Sequence, residues 1–410
     1  MHILIYEHIS SGGLSGEALS AGVLSEGFAM LSTTVADFQS AGHCVTVILD
    51  SRLITYGVPL KAKNVLVVSS KEEAKKTLLK TANEVDATLV IAPESNQVLS
   101  SIVRQLKGTD SRSLNCSAEA IDKASNKANL QTFATKLGLP IPKTLLLNST
   151  NNSQKITEKI ESDLQFPVVL KPIDGTSCSG LSIVSNPRQI AVAINKINKV
   201  STNEQFIVQQ FVEGVPVSVS LISTGHQALP ISLNKQVLIL EAPEADSIYS
   251  GGEVPFESKL KEKAFYVAKK IVESIPGLKG YIGVDLVLTP DAAFIVDVNS
   301  RLTTSYVGLC KVAGFNIAQA ILNAVLSSEL PKGVTLSGYS CFSKIKLPKP
   351  RYSILPKIYK TPSIISPPFP LKEAENACAL VEADEITLPR ARRKLQEAKE
   401  CLIQICQGSM

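Results

Sequence analysis

The sequence contains no tryptophan, and aromatic residues account for only 5% of its 410 positions. A protein that binds nucleic acid through stacked bases would have to build its platform from these few residues. The net charge is also small, +5 from 42 basic and 37 acidic residues, which gives weak support for a polyanion-binding surface. We therefore expect no nucleic-acid partner.

The eight cysteines include no C-x-x-C pair. This spacing argues against a zinc ribbon or a redox pair and favours reduced, buried thiols. Long apolar runs are missing as well: the N-terminal run is interrupted by Glu7, and none approaches the roughly 18 residues of a membrane span. These features predict a soluble, cytoplasmic protein without a membrane partner.

What the sequence does contain is enough apolar residues, 44% in all, for two or three packed domains. Near the N-terminus, short apolar runs alternate with helical patterns. The runs lie at 2–6, 45–49 and 87–92, and the helical patterns at 25–41 and 71–82. This alternation predicts an α/β fold with an open parallel sheet. Ligands bind beyond the carboxyl ends of such strands, where Glu7 and Glu94 are found.

A lysine and a glycine-containing turn follow in the middle of the chain. Lys171 ends an apolar strand, and residues 174–180 form a turn of small residues, Asp-Gly-Thr-Ser-Cys-Ser-Gly. Small residues let backbone N–H groups approach an anion, so phosphate is a natural ligand for this turn. The same composition also suits a purely structural turn, and the pattern is not a P-loop because the lysine precedes the glycines.

An acidic hairpin is more informative. Asp285 and Asp297 lie on two apolar strands joined by a turn at 289–292, so strand pairing can bring their carboxylates side by side. Asn299 and Arg301 follow at intervals of two and share the face of Asp297. Adjacent carboxylates repel unless a cation lies between them, and oxygen ligands of this kind suit Mg²⁺. The alternative is a pair of solvated acids on an exposed sheet face.

In their order along the chain, these motifs resemble the ATP-grasp superfamily of carboxylate–amine ligases. The resemblance covers residues 115–320 and rests on five segments. They are the D-K-x-x-x-K helix start at 122–127, the lysine strand at 166–172, the glycine loop at 174–180, the strand I-V-Q-Q-F-V-E-G at 207–214 and the V-N-x-R pattern at 298–301.

The resemblance implies an ATP-grasp fold in four parts. These are a pre-ATP-grasp parallel α/β domain at 1–115, a lid subdomain with the glycine loop at 116–205, a catalytic subdomain at 206–330 and a C-terminal appendage of unknown role at 331–410. Prolines are frequent in the last part, which predicts strands and turns that are partly mobile.

The resemblance also implies an ATP site and a metal site. The expected ATP-binding residues are Lys123, Lys171, Gly175, Thr176, Ser177, Gly180, Gln209, Gln210, Phe211, Val212 and Glu213, and we add Lys235 as a further phosphate contact. Asp285, Asp297 and Asn299 fall on the metal triad, for Mg²⁺ or Mn²⁺. Lys171 and Arg301 would be catalytic because they stabilise charge on the transferred phosphoryl group.

Two positions depart from the pattern of the family. Pro216 stands where a ribose-binding acid is usual, so Glu213 is the substitute available nearby. Asp297 stands where glutamate is more common, and its side chain reaches one methylene less far. The first departure removes the usual acidic contact to ribose. The second changes how this position can coordinate the metal.

Five segments are similar to the group that contains the tyramine–glutamate ligases of methanofuran biosynthesis. They are Tyr-Glu-His at 6–8, Gly-Gly at 12–13, Ser-Glu-Gly-Phe-Ala-Met-Leu at 25–31, Ala-Pro-Glu at 92–94 and the stretch from Val298 to Tyr306. That similarity implies an amide bond between the γ-carboxylate of glutamate and an amine. The bond would form through an acyl phosphate, with release of ADP and phosphate.

The expected substrate-binding residues are Glu7, His8, Glu94, Thr303 and Ser305, and each has a structural alternative. The two glutamates suit ammonium groups, but they also suit helix caps or solvated positions in loops. His8 is either a base that deprotonates the amine or a hydrogen-bonded loop residue. The hydroxyls of 303–305 suit a substrate carboxylate or a helix cap.

Three other functions stay open at this point. They are a ligase for another amino acid and amine, a kinase or phosphotransferase that forms no amide, and a nucleotide-binding regulator without catalytic activity. Small molecules are the expected partners of the enzyme, and a homodimer is left open.

Overall fold

The structure, a computed structural model, describes residues 1–58, 60–150, 152–173 and 178–408. Its first sheet consists of β1 (His2–Glu7), β2 (Cys44–Asp50), β3 (Asn64–Val68), β4 (Ala87–Ile91) and β5 (Arg112–Ser113). All five strands are parallel, in the order β3-β2-β1-β4-β5. Ile3, Leu4 and Ile5 are completely buried, as expected for a central parallel strand that is covered on both faces. The predicted parallel sheet is confirmed.

The helices of this first part are α1 (Ala21–Ser40), α2 (Ser51–Ile54), α3 (Lys71–Ala82) and α4 (Val98–Leu106). Among them α1 has an unusual environment, because both the first sheet and the C-terminal strands pack against it. Its residues 24–31 are all buried for that reason.

The D-K-x-x-x-K segment at 122–127, predicted as a helix start, in fact spans parts of two helices, α5 (Ala118–Ser125) and α6 (Lys127–Lys136). Asn126 separates them. Its backbone is extended, and its side-chain oxygen accepts hydrogen bonds from the N–H groups of Ala128 and Asn129 at 3.0 and 3.1 Å, which caps α6. Lys127 therefore begins a new helix and is buried, whereas Lys123 on α5 is exposed.

A small lid sheet follows. It contains β6 (Thr144–Asn148), β7 (Val168–Pro172), β8 (Ser182–Val184) and β9 (Gln205–Gln210), in the order β6-β9-β7-β8, with α7 (Ser153–Asp163) and α8 (Ile190–Asn198). These elements share a core of their own, which includes Ile160, Leu170 and Phe206. This corrects the predicted boundary at residue 205, since β9 pairs with β6 and β7.

The central sheet begins with β10 (Val215–Thr224), β11 (Ala228–Ile239), β12 (Ile248–Val254), β13 (Lys279–Leu288) and β14 (Ala293–Asn299). All adjacent strands are antiparallel. The helices beside it are α9 (Lys261–Glu273), α10 (Ser305–Val312) and α11 (Ile317–Leu326). The predicted hairpin around residues 289–292 is confirmed as the β13–β14 turn.

The C-terminal segment corrects the expectation of a separate appendage. Its strands β15 (Tyr339–Pro348), β16 (Ile364–Ser366) and β17 (Asn376–Glu385) extend the central sheet to eight strands in the order β14-β13-β10-β11-β12-β15-β17-β16. Helices α12 (Leu355–Tyr359) and α13 (Leu388–Gln407) complete it. The ring of Phe369 packs on Phe28 of α1, with centroids 5.1 Å apart, so the segment is part of the main core.

None of the helices in the described part of the chain combines the length and the apolar character needed to cross a bilayer.

Two glycines make the junction between β12 and β15 possible. Gly251 has φ +136°, and a Cβ at this position would lie 2.1 Å from the carbonyl oxygen of Phe342. A Cβ on Gly252 would lie 2.9 Å from Cζ of Phe342 on β15 and 2.6 Å from the carbonyl oxygen of Lys235 on β11, the other neighbour of β12. We expect Gly251→Ala to lower the free energy of unfolding by about 2 to 4 kcal/mol, through backbone strain and overpacking. Urea denaturation measures this change.

The matched control is Gly333→Ala. Gly333 is exposed, and a Cβ there would meet no heavy atom within 4 Å, so its unfolding free energy should change by less than about 0.5 kcal/mol. Equal effects of the two substitutions would contradict the importance of the close approach at Gly251.

Candidate active site

A cleft of about 1440 Å³ lies where the three sheets meet. Its walls come from the loops after β1 and β4, from one face of the lid sheet and from one face of the central sheet, and β15 contributes Lys344. The cleft therefore lies beyond the carboxyl ends of the parallel strands, where ligands of such sheets bind.

Paired carboxylates form one corner of this cleft. As predicted, Asp285 on β13 lies directly opposite Asp297 on β14. Gln236 Nε2 and Asn299 Nδ2 donate hydrogen bonds to the two oxygens of Asp285, each at 2.9 Å. Burial and the adjacent Asp297 raise the pKa of Asp285 to about 6. The pair is therefore electrostatically unfavourable unless a cation joins it.

The donors of this corner fit a divalent metal ion. Asp285, Asp297 and Asn299 all line the cleft, and the hydrogen bond that Asn299 donates uses its amide nitrogen and not its carbonyl oxygen. Two carboxylates and an amide oxygen are ligands that Mg²⁺ and Mn²⁺ prefer. In the described ranges no group of three or more His, Cys, Asp or Glu side chains could hold a metal, so binding would depend on this mixed triad.

Two lysines face the carboxylates. Lys127 Nζ lies 3.1 Å from Asp297 Oδ2, and Lys171 Nζ donates a hydrogen bond to Gln209 Oε1 at 2.9 Å. Burial, together with the charge of Lys127, lowers the pKa of Lys171 to about 8. Lys123 does not line the cleft. The structure thus brings the second lysine of the D-K-x-x-x-K motif to the site and not the first.

The strand β9 and the loop after it form another wall. Residues 209–213, the expected adenine-binding segment, all line the cleft. The side chain of Gln209 is already engaged, because its Oε1 accepts from Lys171 and its Nε2 donates to Thr144 Oγ1 at 3.0 Å. These contacts connect the expected adenine-binding segment to a lysine expected to bind phosphate.

Lys235 is not brought to the cleft. Its neighbour Gln236 lines the cleft and binds Asp285, and alternate residues of a strand point to opposite faces. Gln236 is thus a site residue that the sequence reasoning missed. The alternation along β11 could have shown that Gln236 and Lys235 cannot both face the carboxylates.

The glycine loop is described only in part. Gly175, Thr176 and Ser177 lie outside the described residues, so their phosphate contacts stay predictions. Gly180 lines the cleft with φ +72°, and a Cβ there would lie 2.7 Å from Val200 Cγ2. Glycine is therefore the residue that this end of the loop requires.

Arg301 is oriented by an acid from the N-terminal domain. Its Nε donates to Glu94 Oε2 at 2.8 Å, and Glu94 Oε1 accepts from the backbone N–H of Ser300 at 3.1 Å. Although burial opposes it, the charge of Glu94 raises the pKa of Arg301. Both oxygens of Glu94 are thus used within the protein, so a substrate ammonium group would have to compete with Arg301 for them.

The other two predicted residues of the N-terminal domain differ in position. Glu7 lines the cleft, and its carboxylate accepts from the N–H groups of Ile9 and Ser10 at 3.2 and 2.7 Å, which closes the turn after β1. A Cβ on Gly27 would lie 2.7 Å from this carboxyl group. His8 does not line the cleft, and burial lowers its pKa to about 4. The structure does not bring His8 to the other site residues.

The hydroxyl residues 303–305 line the cleft. Thr304 precedes α10 but makes no capping hydrogen bond; it donates to Glu26 Oε2 at 3.2 Å. The hydroxyl of Thr303 lies 3.1 Å from that of Tyr281. The cap alternative is therefore not supported for Thr304.

Glu26 and Lys344 are further residues that the sequence reasoning missed. They form an ion pair in the wall of the cleft. Neither has a predicted role, because Lys344 belongs to the proline-rich C-terminal segment and Glu26 lies in a segment whose pattern indicates only the family resemblance and a buried helix.

The lid sheet and the central sheet enclose paired carboxylates and buried lysines, a set of charges suited to a nucleotide and its divalent metal ion. The model of the ATP-grasp domain matches residues 124–305, and that of the pre ATP-grasp 3 domain matches residues 43–121. The chain belongs to the ATP-grasp family and is an ATP-dependent carboxylate–amine ligase.

Individual proteins extend this similarity. Tyramine–L-glutamate ligase of Methanocaldococcus jannaschii is 31% identical over 315 residues, which are 75% of this chain and 84% of the relative. The structure of N5-carboxyaminoimidazole synthase from Aspergillus clavatus has a TM-score of 0.68 at 17% identity and covers 99% of this chain and 98% of its own. For the L-amino acid ligase from Bacillus licheniformis the TM-score is 0.67 at 13% identity, with 97% of each chain covered. The two structures support the fold.

The positions of the two motif lysines lead to a prediction about ATP affinity. We expect Lys127→Met to weaken ATP binding at least about tenfold, because a charge-assisted contact to phosphate contributes about 1.5 to 3 kcal/mol. Lys123→Met, on the exposed side of α5, should leave the affinity within about twofold. Calorimetric titration with ATP and Mg²⁺ measures both. A larger loss for Lys123→Met would show that the first lysine binds the nucleotide.

The low pKa of Lys171 leads to a prediction about pH. Its pKa of about 8, against 10.5 for an ordinary lysine, means that the unfolded chain binds more protons between these values. Wild-type stability should therefore rise relative to Lys171→Met as pH increases from 8 to 10.5, by up to about 3 kcal/mol. Urea denaturation across this range measures the difference. Lys123→Met is the control, and the difference between its unfolding free energy and that of wild type should not change with pH. If the curves of unfolding free energy against pH are parallel for wild type and Lys171→Met, the lowered pKa is contradicted.

Proposed function

We propose that the protein joins the γ-carboxylate of glutamate to a primary amine, with tyramine as the leading candidate, while ATP is converted to ADP and phosphate. The observation that carries this proposal is the corner of the cleft where Asp285 and Asp297 face Lys127 and Lys171 beside Arg301. The similarity to tyramine–L-glutamate ligase over 75% of the chain supports the choice of substrates.

The proposed reaction has two steps. A carboxylate is a poor electrophile, so the γ-phosphoryl group of ATP is first transferred to it, and the neutral amine then displaces phosphate from the acyl phosphate. Lys127 and Lys171 bind the phosphates through charge-assisted hydrogen bonds. A metal ion held by Asp285, Asp297 and Asn299 would neutralise negative charge on the phosphate oxygens.

Arg301 has the role of binding the carboxylate that reacts. Glu94 holds the guanidinium by Nε, and the carbonyl oxygen of Leu302 accepts from Nη1 at 3.1 Å, so the group has a fixed orientation before substrate arrives. Fixed donors stabilise developing charge without reorganising during the reaction. Glu94 is therefore a positioning residue for Arg301 in this proposal.

A direct assay tests the proposal. With ATP, Mg²⁺, L-glutamate and tyramine, the full-length protein should release ADP, and mass spectrometry should detect γ-glutamyltyramine. Omission of glutamate or tyramine should bring ADP release to background, because each step needs its substrate. Asp297→Asn should abolish turnover, since it removes one of the two carboxylates, and Lys123→Met should retain it.

Two results would contradict parts of the proposal. Release of ADP that needs glutamate but no amine, with a phosphorylated product, would indicate a phosphotransferase. Amide formation from other amines but not from tyramine would retain the ligase and exclude the proposed substrate pair.

A further inference from the structure

An ion pair between two residues without a predicted role lies in the wall of the cleft. Glu26 on α1 and Lys344 on β15 are in contact through Oε1 and Nζ, and their side chains are only 11% and 19% exposed. Lys344 lies beyond the residues 124–305 that match the ATP-grasp domain. The C-terminal segment thus places a half-buried cation in the active-site cleft.

Both members of this pair open onto the cleft. The second oxygen of Glu26 accepts a hydrogen bond from Thr304, in the segment that follows Arg301. Gly22, one turn before Glu26, carries no side chain, and even a Cβ there would lie 3.7 Å from Lys344 Nζ. Gly22, Glu26 and Lys344 all line the cleft, so the ion pair is accessible to a ligand that binds there.

The ion pair lies in the same cleft as the metal corner. Glu26, Lys344, Asp285 and Arg301 all line this cleft. Thr304, which donates its hydrogen bond to Glu26, is only three residues after Arg301, so a short segment connects the ion pair to the end of the cleft where the chemistry is proposed.

We propose that Glu26 and Lys344 bind the α-ammonium and α-carboxylate groups of the amino-acid substrate, whose side-chain carboxylate is directed toward Arg301 and Asp285. This inference rests on the proposed function, because it requires an amino acid as the carboxylate substrate. It assigns substrate selection to two residues outside the predicted site.

Charge balance explains why such a pair selects a zwitterion. A buried charge without a partner is unfavourable, whereas an ion pair with further hydrogen bonds is tolerated. An amino acid carries one charge of each sign. When it binds, Glu26 pairs with its α-ammonium group in place of Lys344, and Lys344 pairs with its α-carboxylate in place of Glu26, so both protein groups stay paired. A diacid or a simple amino-alkyl acid lacks one of these charges and leaves one protein group unpaired.

Three substrates and two variants test the proposal. Glutarate is glutamate without the α-ammonium group, and 4-aminobutyrate is glutamate without the α-carboxylate. Wild type should prefer glutamate over both in kcat/KM. Lys344→Met should reduce the preference over 4-aminobutyrate about 10- to 100-fold and retain the preference over glutarate, and Glu26→Gln should do the reverse. The KM for ATP should stay within about threefold, since neither residue contacts the nucleotide in this proposal.

Lys346→Met is the matched control. Lys346 lies on the same face of β15 but is exposed and does not line the cleft, so its three kcat/KM values should equal those of wild type. The double variant Glu26→Gln with Lys344→Met leaves neither charge unpaired, and it should lose both preferences even if one single variant folds poorly.

A purely structural connection between α1 and β15 gives a different result. In that case each variant would lower kcat/KM for all three substrates by the same factor, and the exchanged pair Glu26→Lys with Lys344→Glu would restore activity; either result overturns the proposal. If wild type forms no amide from any of the three acids, the proposed function fails separately. Thermal-shift titration of the protein loaded with a non-hydrolysable ATP analogue then tests the inference on its own. Wild type should still bind glutamate more tightly than glutarate and 4-aminobutyrate. The double variant should lose this preference.

Discussion

The side-by-side placement of Asp285 and Asp297 is the constraint on which the rest of the site depends. Strand pairing alone makes them neighbours, and their repulsion has to be balanced by groups from other elements. Lys127 comes from the first turn of a separate helix, and Gln236 comes from a strand two positions away in the sheet. The break at Asn126 is important for this contact, because it places Lys127 at the first position of α6 and not inside a continuous helix. Local irregularity therefore serves the balance of charge in the cleft.

Helix α1 connects the two halves of the molecule in a similar way. Asp37 accepts hydrogen bonds from Tyr306 at 2.6 Å and from the N–H of Ala318 at 2.9 Å, so the helix is joined to α10 and α11. Near its other end, Glu26 reaches Thr304 and Lys344. The N-terminal sheet contributes Glu94 to Arg301 across the same boundary. The site is thus assembled from parts distant in sequence, and buried polar contacts determine their relative positions.

The parts that sequence reasoning predicted are those with local signals. Alternating strands and helices indicated the parallel sheet, and the short turn between two apolar strands indicated the register of Asp285 with Asp297. Lys123 and Lys127 both fit the motif, and only the position of Asn126 decides which is buried. The pairing of β15 with β12 depends on space left at Gly251, and the partner of Glu26 lies on that strand. Contacts between distant segments leave no local pattern, so these could not be predicted.

The late position of β15 in the chain has a consequence for folding during synthesis. Until residues 339–348 leave the ribosome, β12 is an edge strand with unpaired N–H and C=O groups, and Phe28 on α1 lacks the ring of Phe369. The N-terminal domain is made before these strands, but one face of its first helix stays open until β16, Phe369 and β17 have been made. Long-range pairing of this kind slows folding and exposes apolar surface for longer. The apolar face of α1 around Phe28 is therefore covered later than the rest of the N-terminal core.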